Sequence, residues 1–137
     1  MGKEPIIIVG GEPNSVFLEI FFKSLKTNTY KSPIIIIISK KLLQAQMKKL
    51  NFNFKINDID KRLKNFSKLN NNKINLINVD YKFKKCFEKI SSKSNQYIDE
   101  TFKTALDFIK QNNLSKFING PVSKKSFLNG KTLGITE

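Results

Sequence analysis

The sequence contains no histidine and no tryptophan, and among its 25 basic residues only Arg62 is an arginine. Without histidine the chain lacks the side chain most used as a general base near neutral pH and the commonest zinc ligand. Acid–base or metal chemistry within these residues therefore falls to Lys, Asp, Glu, Tyr or one Cys. That cysteine, Cys86, has no partner for an internal disulfide or a Cys-rich metal site, and it reads as a small half-buried side chain. Long apolar runs are also missing. The longest, Ile34 to Ile38, falls far short of the roughly 18 to 20 residues that a membrane-spanning helix needs. Glu4 and Pro5 interrupt any signal peptide, and Ile6 stands where a myristoylation signal wants Ser or Thr. The chain is expected in the cytoplasm, with no membrane partner. Neither G-x-G-x-x-G nor G-x-x-x-x-G-K-[ST] occurs, which excludes the two commonest nucleotide-binding loops.

Acidic residues are scarce, and 25 basic against 11 acidic gives a net charge of +14. A basic balance raises nucleic acid as a partner, since clustered cations release counterions from phosphate. Here the lysines are spread along the whole chain among many Asn and Ile, and base-reading sites favour Arg. The composition weighs against nucleic acid and toward a solvated basic surface. What is present in quantity is apolar material: 39% of 137 residues, enough for one core in one compact domain.

Pro5 to Val9 is a short β-branched run stopped by Gly10-Gly11, the pattern of a strand buried on both faces. After the turn, Asn14 is placed to cap a helix with apolar positions Val16, Phe17, Ile20, Phe21 and Leu25. Pro33 introduces a second buried strand, Ile34 to Ile38, and Ser39 caps a helix bearing Leu43, Met47 and Leu50. The alternation Phe52, Phe54, Ile56 predicts a half-exposed third strand, Asp58 to Asn72 reads as helix or loop, and Ile74 to Val79 gives another strand. Tyr81 to Ser94 is charged, without period, and expected at the surface. From Tyr97 a helical stripe of Ile98, Phe102, Ala105, Leu106 and Ile109 runs to Asn112-Asn113, and Phe117-Ile118 forms a last short strand. Strands alternating with helices predict an α/β fold, a doubly wound, mostly parallel sheet with helices on both faces. Ligands bind such sheets at the carboxyl ends of the strands, which selects two loops, Gly10 to Asn14 and Asn119 to Lys125.

The first loop offers backbone N–H groups near a helix start for an anion, or simply a glycine turn with an Asn cap. The second, Asn119-Gly120-Pro121-Val122-Ser123-Lys124-Lys125-Ser126, sets two ammonium groups and two hydroxyls after a fixed turn, suited to phosphate or to solvent. Gly134-Ile135-Thr136-Glu137 closes the chain and says little alone.

Together these segments resemble the 4-hydroxythreonine-4-phosphate dehydrogenases. That family opens with a strand, G-[DE]-P and a helix whose first turn ends in Glu, matched by Gly11-Glu12-Pro13 and Glu19. Its later Glu- and Ala-bearing helix is matched by Asn95-Gln96-Tyr97 through Glu100 and Ala105, and its T-G-P-V-x-K and G-H-T-E motifs by Asn119 to Lys124 and Gly134 to Glu137. The resemblance implies an isocitrate/isopropylmalate dehydrogenase-like fold. It also implies oxidation and decarboxylation of 4-phosphohydroxy-L-threonine, a phosphorylated hydroxy-amino acid, with NAD and a divalent metal (Zn, Mg or Co) in vitamin B6 synthesis. Homodimers with the active site in an interdomain cleft are implied too. The substrate-binding positions carried over are Gly11, Glu12, Lys124, Ile135 and Thr136, with Ile135 standing where the family has its histidine. The family's G-I-G-P-E run is here Ser15-Val16-Phe17-Leu18-Glu19, without its glycines. The metal-binding histidines and most of the nicotinamide site lie beyond Glu137 in the family, so residues 1–137 are expected to be the amino-terminal part of a two-domain enzyme, second domain missing, inactive alone. The competing readings are a basic nucleic-acid-binding module and a non-catalytic dimerising or regulatory remnant.

Overall fold

A computed structural model describes residues 4–82 and 94–121. Five parallel strands form one sheet in the order β3-β4-β2-β1-β5: β1 (Ile6–Val9), β2 (Ile34–Ile38), β3 (Ile56–Asp58), β4 (Ile74–Asn78) and β5 (Phe117–Asn119). Three helices connect them: α1 (Phe17–Thr27), α2 (Lys40–Lys49) and α3 (Asn95–Asn112). The register runs Ile6 to Ile34 between β1 and β2, Ile35 to Asn75 between β2 and β4, and Ile7 to Phe117 between β1 and β5. From β1 the chain winds through α1 to β2 on one side, then returns through α3 to β5 on the other. Right-handed crossovers set α1 and α2 on one face and α3 on the opposite face. Consistent with this, α1 touches α2, and α3 lies against β1 and β2.

The expected parallel α/β sheet is thus what forms, and its cause is the isoleucine content. All five residues of β2 are buried, because a central strand under helices on both faces has no solvent side. Ile7, Ile35, Ile36 and Ile37 have no exposed surface, and each contributes about 2 kcal/mol of burial. Phe22 of α1 fills the space beside them, with ring centroids 5.3 Å from Phe52 and 5.9 Å from Phe54.

Several local expectations are corrected. Asn14 does not cap α1: the helix starts at Phe17, whose N–H donates to Ser15 Oγ at 3.3 Å. Its buried residues are Leu18, Phe21 and Phe22, whereas Val16, just ahead of the helix, and Ile20, on its outer side, are about 60% exposed. Phe52 and Phe54 precede the third strand instead of belonging to it, since both rings turn to Phe22. Of the two readings of Asp58 to Asn72, helix or loop, the second holds: Asp58 ends β3 and residues 59–72 form turns and loop, with Ile59, Leu63, Phe66 and Leu69 packed against the core at near-helical spacing. On α3 the stripe is rotated: Ile98, Thr101, Ala105 and Phe108 are buried and Leu106 is exposed. Two expectations hold as made. Ser39 caps α2 by accepting from the Leu42 N–H at 3.2 Å, and α3 ends at Asn113 in the left-handed conformation, φ 52°. Cys86 and most of the charged stretch around it lie outside the described residues, but its end, Ser94, is buried and not at the surface.

Candidate functional site: interlocked turns at the carboxyl rim

Winding changes direction at β1, so the crevice at the carboxyl ends of β1 and β5 is the topological switch point of the sheet. The two turns chosen from the sequence meet there. Gly120 N–H donates to Val9 O at 2.7 Å and Glu12 N–H to Pro121 O at 2.8 Å, so the turns are hydrogen-bonded to each other in both directions. Glycine is required on both sides. Gly11 has φ +72°, and a Cβ there would lie 2.6 Å from Pro121 O; one on Gly120 would lie 2.3 Å from Gly10 O. Main chain packs on main chain with no room for a side chain.

The first turn is less open to an anion than its sequence implied. Gly10, Glu12, Asn14, Ser15 and Phe17 already donate their N–H groups within the protein, and α1 begins only at Phe17, so its positive end is displaced from the glycines. Glu12 is 4% exposed. Its Oε1 accepts from Ser94 Oγ at 3.1 Å, and its Oε2 accepts from Asn14 N–H at 3.0 Å. From the other face Gln46 of α2, 1% exposed, donates Nε2–H to Pro13 O at 3.0 Å. Its Oε1 is buried without a protein partner.

The first turn of α3 reaches the neighbouring loops as well. Tyr97 Oη accepts from Ser39 N–H at 2.9 Å, and its ring lies 4.5 Å from that of Tyr81, just beyond β4. Burial pushes the Tyr97 phenol above its usual range, and the nearby Tyr81 and Glu12 push it the same way, against the Ser39 bond. Lys40 N–H donates to Asn78 Oδ1 at 2.8 Å, closing the rim between β2 and β4. Ser94, Gln46 and the Tyr97 hydroxyl were not anticipated. Gln46 was legible only as a polar residue beside Met47 on the buried side of α2, and Tyr97 only as the residue from which a helical stripe runs and as part of the Asn95-Gln96-Tyr97 segment.

Of the five carried-over substrate positions, Gly11 and Glu12 lie at this rim, while Lys124, Ile135 and Thr136 are outside the described residues. Among the described residues no three His, Cys, Asp or Glu side chains converge, and Glu12 is already engaged, so these residues do not fit a divalent metal. Nor do they fit a dinucleotide pyrophosphate at the β1 turn, where the Gly120-Pro121 peptide occupies the approach to Gly11. No described helix is long and apolar enough to cross a membrane.

No curated protein matches the chain. Among solved structures, a 4-hydroxythreonine-4-phosphate dehydrogenase from Burkholderia phymatum superposes with a TM-score of 0.76 at 19% identity, covering 93% of this chain and 39% of its own. The enzyme of the same name from Klebsiella pneumoniae gives 0.75 at 14% identity, with the same coverage. These likenesses establish the fold, and the chain spans about two fifths of the length of either protein. The family model described as pyridoxal phosphate biosynthetic protein PdxA matches residues 29–137, from ahead of β2 to Glu137 and so including the β5 turn. The chain therefore belongs to the PdxA family.

Proposed function

We propose that this chain supplies the first-domain wall of a 4-hydroxythreonine-4-phosphate dehydrogenase, which oxidises and decarboxylates 4-phosphohydroxy-L-threonine with NAD in pyridoxal phosphate synthesis. The observation that carries this is the interlock of Gly11 with Gly120. It joins Gly11-Glu12 of the G-E-P turn to Gly120-Pro121 at the switch point of a parallel sheet, where ligands of such sheets bind. In this reading Gly11, packed against Gly120, shapes the wall that faces the substrate, Lys124 supplies positive charge for its phosphate, and Thr136 contributes a hydroxyl. Ile135 makes an apolar contact where the family has a histidine, so one polar contact is lost, worth about 1 kcal/mol. NAD and the metal are held by polypeptide beyond residues 1–137, which act as an amino-terminal part of a cytoplasmic homodimer and do not turn over alone.

The test is a titration of the isotope-labelled chain with 4-phosphohydroxy-L-threonine, followed by amide chemical shifts. Shifts concentrated at Gly11, Gly120 and Lys124 are expected. Absence of binding, or shifts confined to the amino-terminal ends of the strands, overturns the assignment of this rim. Assay of the product of the whole reading frame with NAD then tests the reaction.

A further inference from the structure

Glu12 is a carboxylate in the interior of a chain with few acidic residues, and α1, starting five residues later, makes no use of its charge as a cap. Burying such a group is costly unless hydrogen bonds replace its water, so its partners indicate what it is for. Its backbone carbonyl accepts from Ser15 N–H at 3.2 Å, and its own N–H reaches Pro121. The carboxylate takes one bond from Asn14, two residues away, and one from Ser94, 82 residues away at the start of α3. One residue thus joins the β1 turn, the entry to α1, the β5 turn and the first turn of α3. Gln46 holds the adjacent Pro13 carbonyl from α2.

We propose that Glu12 is a positioning residue of the rim. Its carboxylate works from inside the fold, clamping the Gly10-Gly11 backbone against Gly120-Pro121, and does not itself touch ligand. A turn held by charge-assisted bonds presents its backbone in one conformation before ligand arrives, which lowers the ordering cost of binding. The ligand arm of this inference rests on the function proposed above; the clamp does not.

Amide hydrogen exchange on the full chain tests both. Glu12→Ala is expected to raise exchange at residue 12 and at Gly120 about tenfold or more, while Ile36 and Ile37 stay protected, because the bonds removed are made to a charged group and lie at the rim. The same variant weakens the 4-phosphohydroxy-L-threonine titration by a similar factor. Glu12→Gln, which keeps an acceptor for Ser94 but loses the charge and the acceptor for Asn14 N–H, restores only part of both, and Ser94→Ala reproduces a smaller form of the loss if Glu12→Ala does not fold. Exchange rising equally at Ile36 would reduce Glu12 to a general stability residue and overturn the proposal. So would Glu12→Gln losing ligand with Gly120 still protected, which makes Glu12 a ligand contact. If the unsubstituted chain binds nothing, the assigned function fails while the exchange result still decides the clamp.

Discussion

β2 and β5 are both short strands of the same parallel sheet, rich in residues that favour strands, yet they differ in almost every physical respect. β2 is buried throughout, whereas all three residues of β5 are exposed, with Ile118 at 50%. The difference is one of place in the strand order: β2 has neighbours on both sides and helices above and below, while among the described residues β5 has one neighbour and ends the sheet. Beside β5 an apolar groove of about 220 Å³ lies open between α1 and β1, lined by Ile8, Phe17, Ile20 and Ile118 among others. The sheet is thus held together at β2, while the turn that follows β5 meets the β1 turn at the candidate site. Stability and site have been assigned to different strands.

That division predicts different consequences for substitution. Ile36→Ala, in the fully buried centre of β2, is expected to cost about 2 to 5 kcal/mol by cavity formation, read as a lowered denaturation midpoint with unchanged slope. Gly120→Ala forces a methyl group toward a backbone carbonyl and is expected to cost about 1 to 3 kcal/mol. Unlike Ile36→Ala, it should concentrate its amide shifts at Gly10, Gly11 and Glu12. If shifts spread into β2 and β4 instead, the separation of rim from core is wrong. Ile118→Lys on the edge should change stability by no more than about 0.5 kcal/mol. It should also reduce self-association of the chain in sedimentation, because it charges the open edge and groove.

The weakest effect concerns how β5 is anchored at its other end. Glu4 Oε2 accepts from both Ser115 Oγ and Ser115 N–H, at 2.7 and 2.9 Å, and these bonds hold its carboxyl below the ordinary value of 4.5. A carboxyl whose folded-state pKa is depressed stabilises the fold above its unfolded pKa, and loses that contribution as pH falls through the folded value. The Ser115 amide is therefore expected to titrate with a midpoint below 4.5. Ile36 should not follow it. A Ser115 midpoint at or above 4.5 removes this anchor.

The parts of the fold that the sequence foretold are those set by local chemistry. β2 was delimited residue for residue because Pro33 and Ser39 bracket five isoleucines, and the cap of α2 was read correctly because Ser39 bonds within its own first turn. The readings that failed involve distant partners. Asn14 looked like a cap, but its amide is taken by a Glu12 carboxylate that also serves Ser94. Phe52 and Phe54 alternate like strand residues because both answer to one ring on α1. The site was legible as two glycine turns after two strands, but not as one rim, since nothing within either turn encodes its distance from the other.

Hydrophobic period and turn residues, which act over a few positions, were enough to fix the class of fold and to pick out the two loops of the candidate site. The pairing of those loops, the inward aim of Glu12 and the exposure of β5 came from strand order and from helices crossing the sheet. The physical reason is range: a glycine permits a backbone angle wherever it stands, but a carboxylate can be buried only where the folded chain brings it donors.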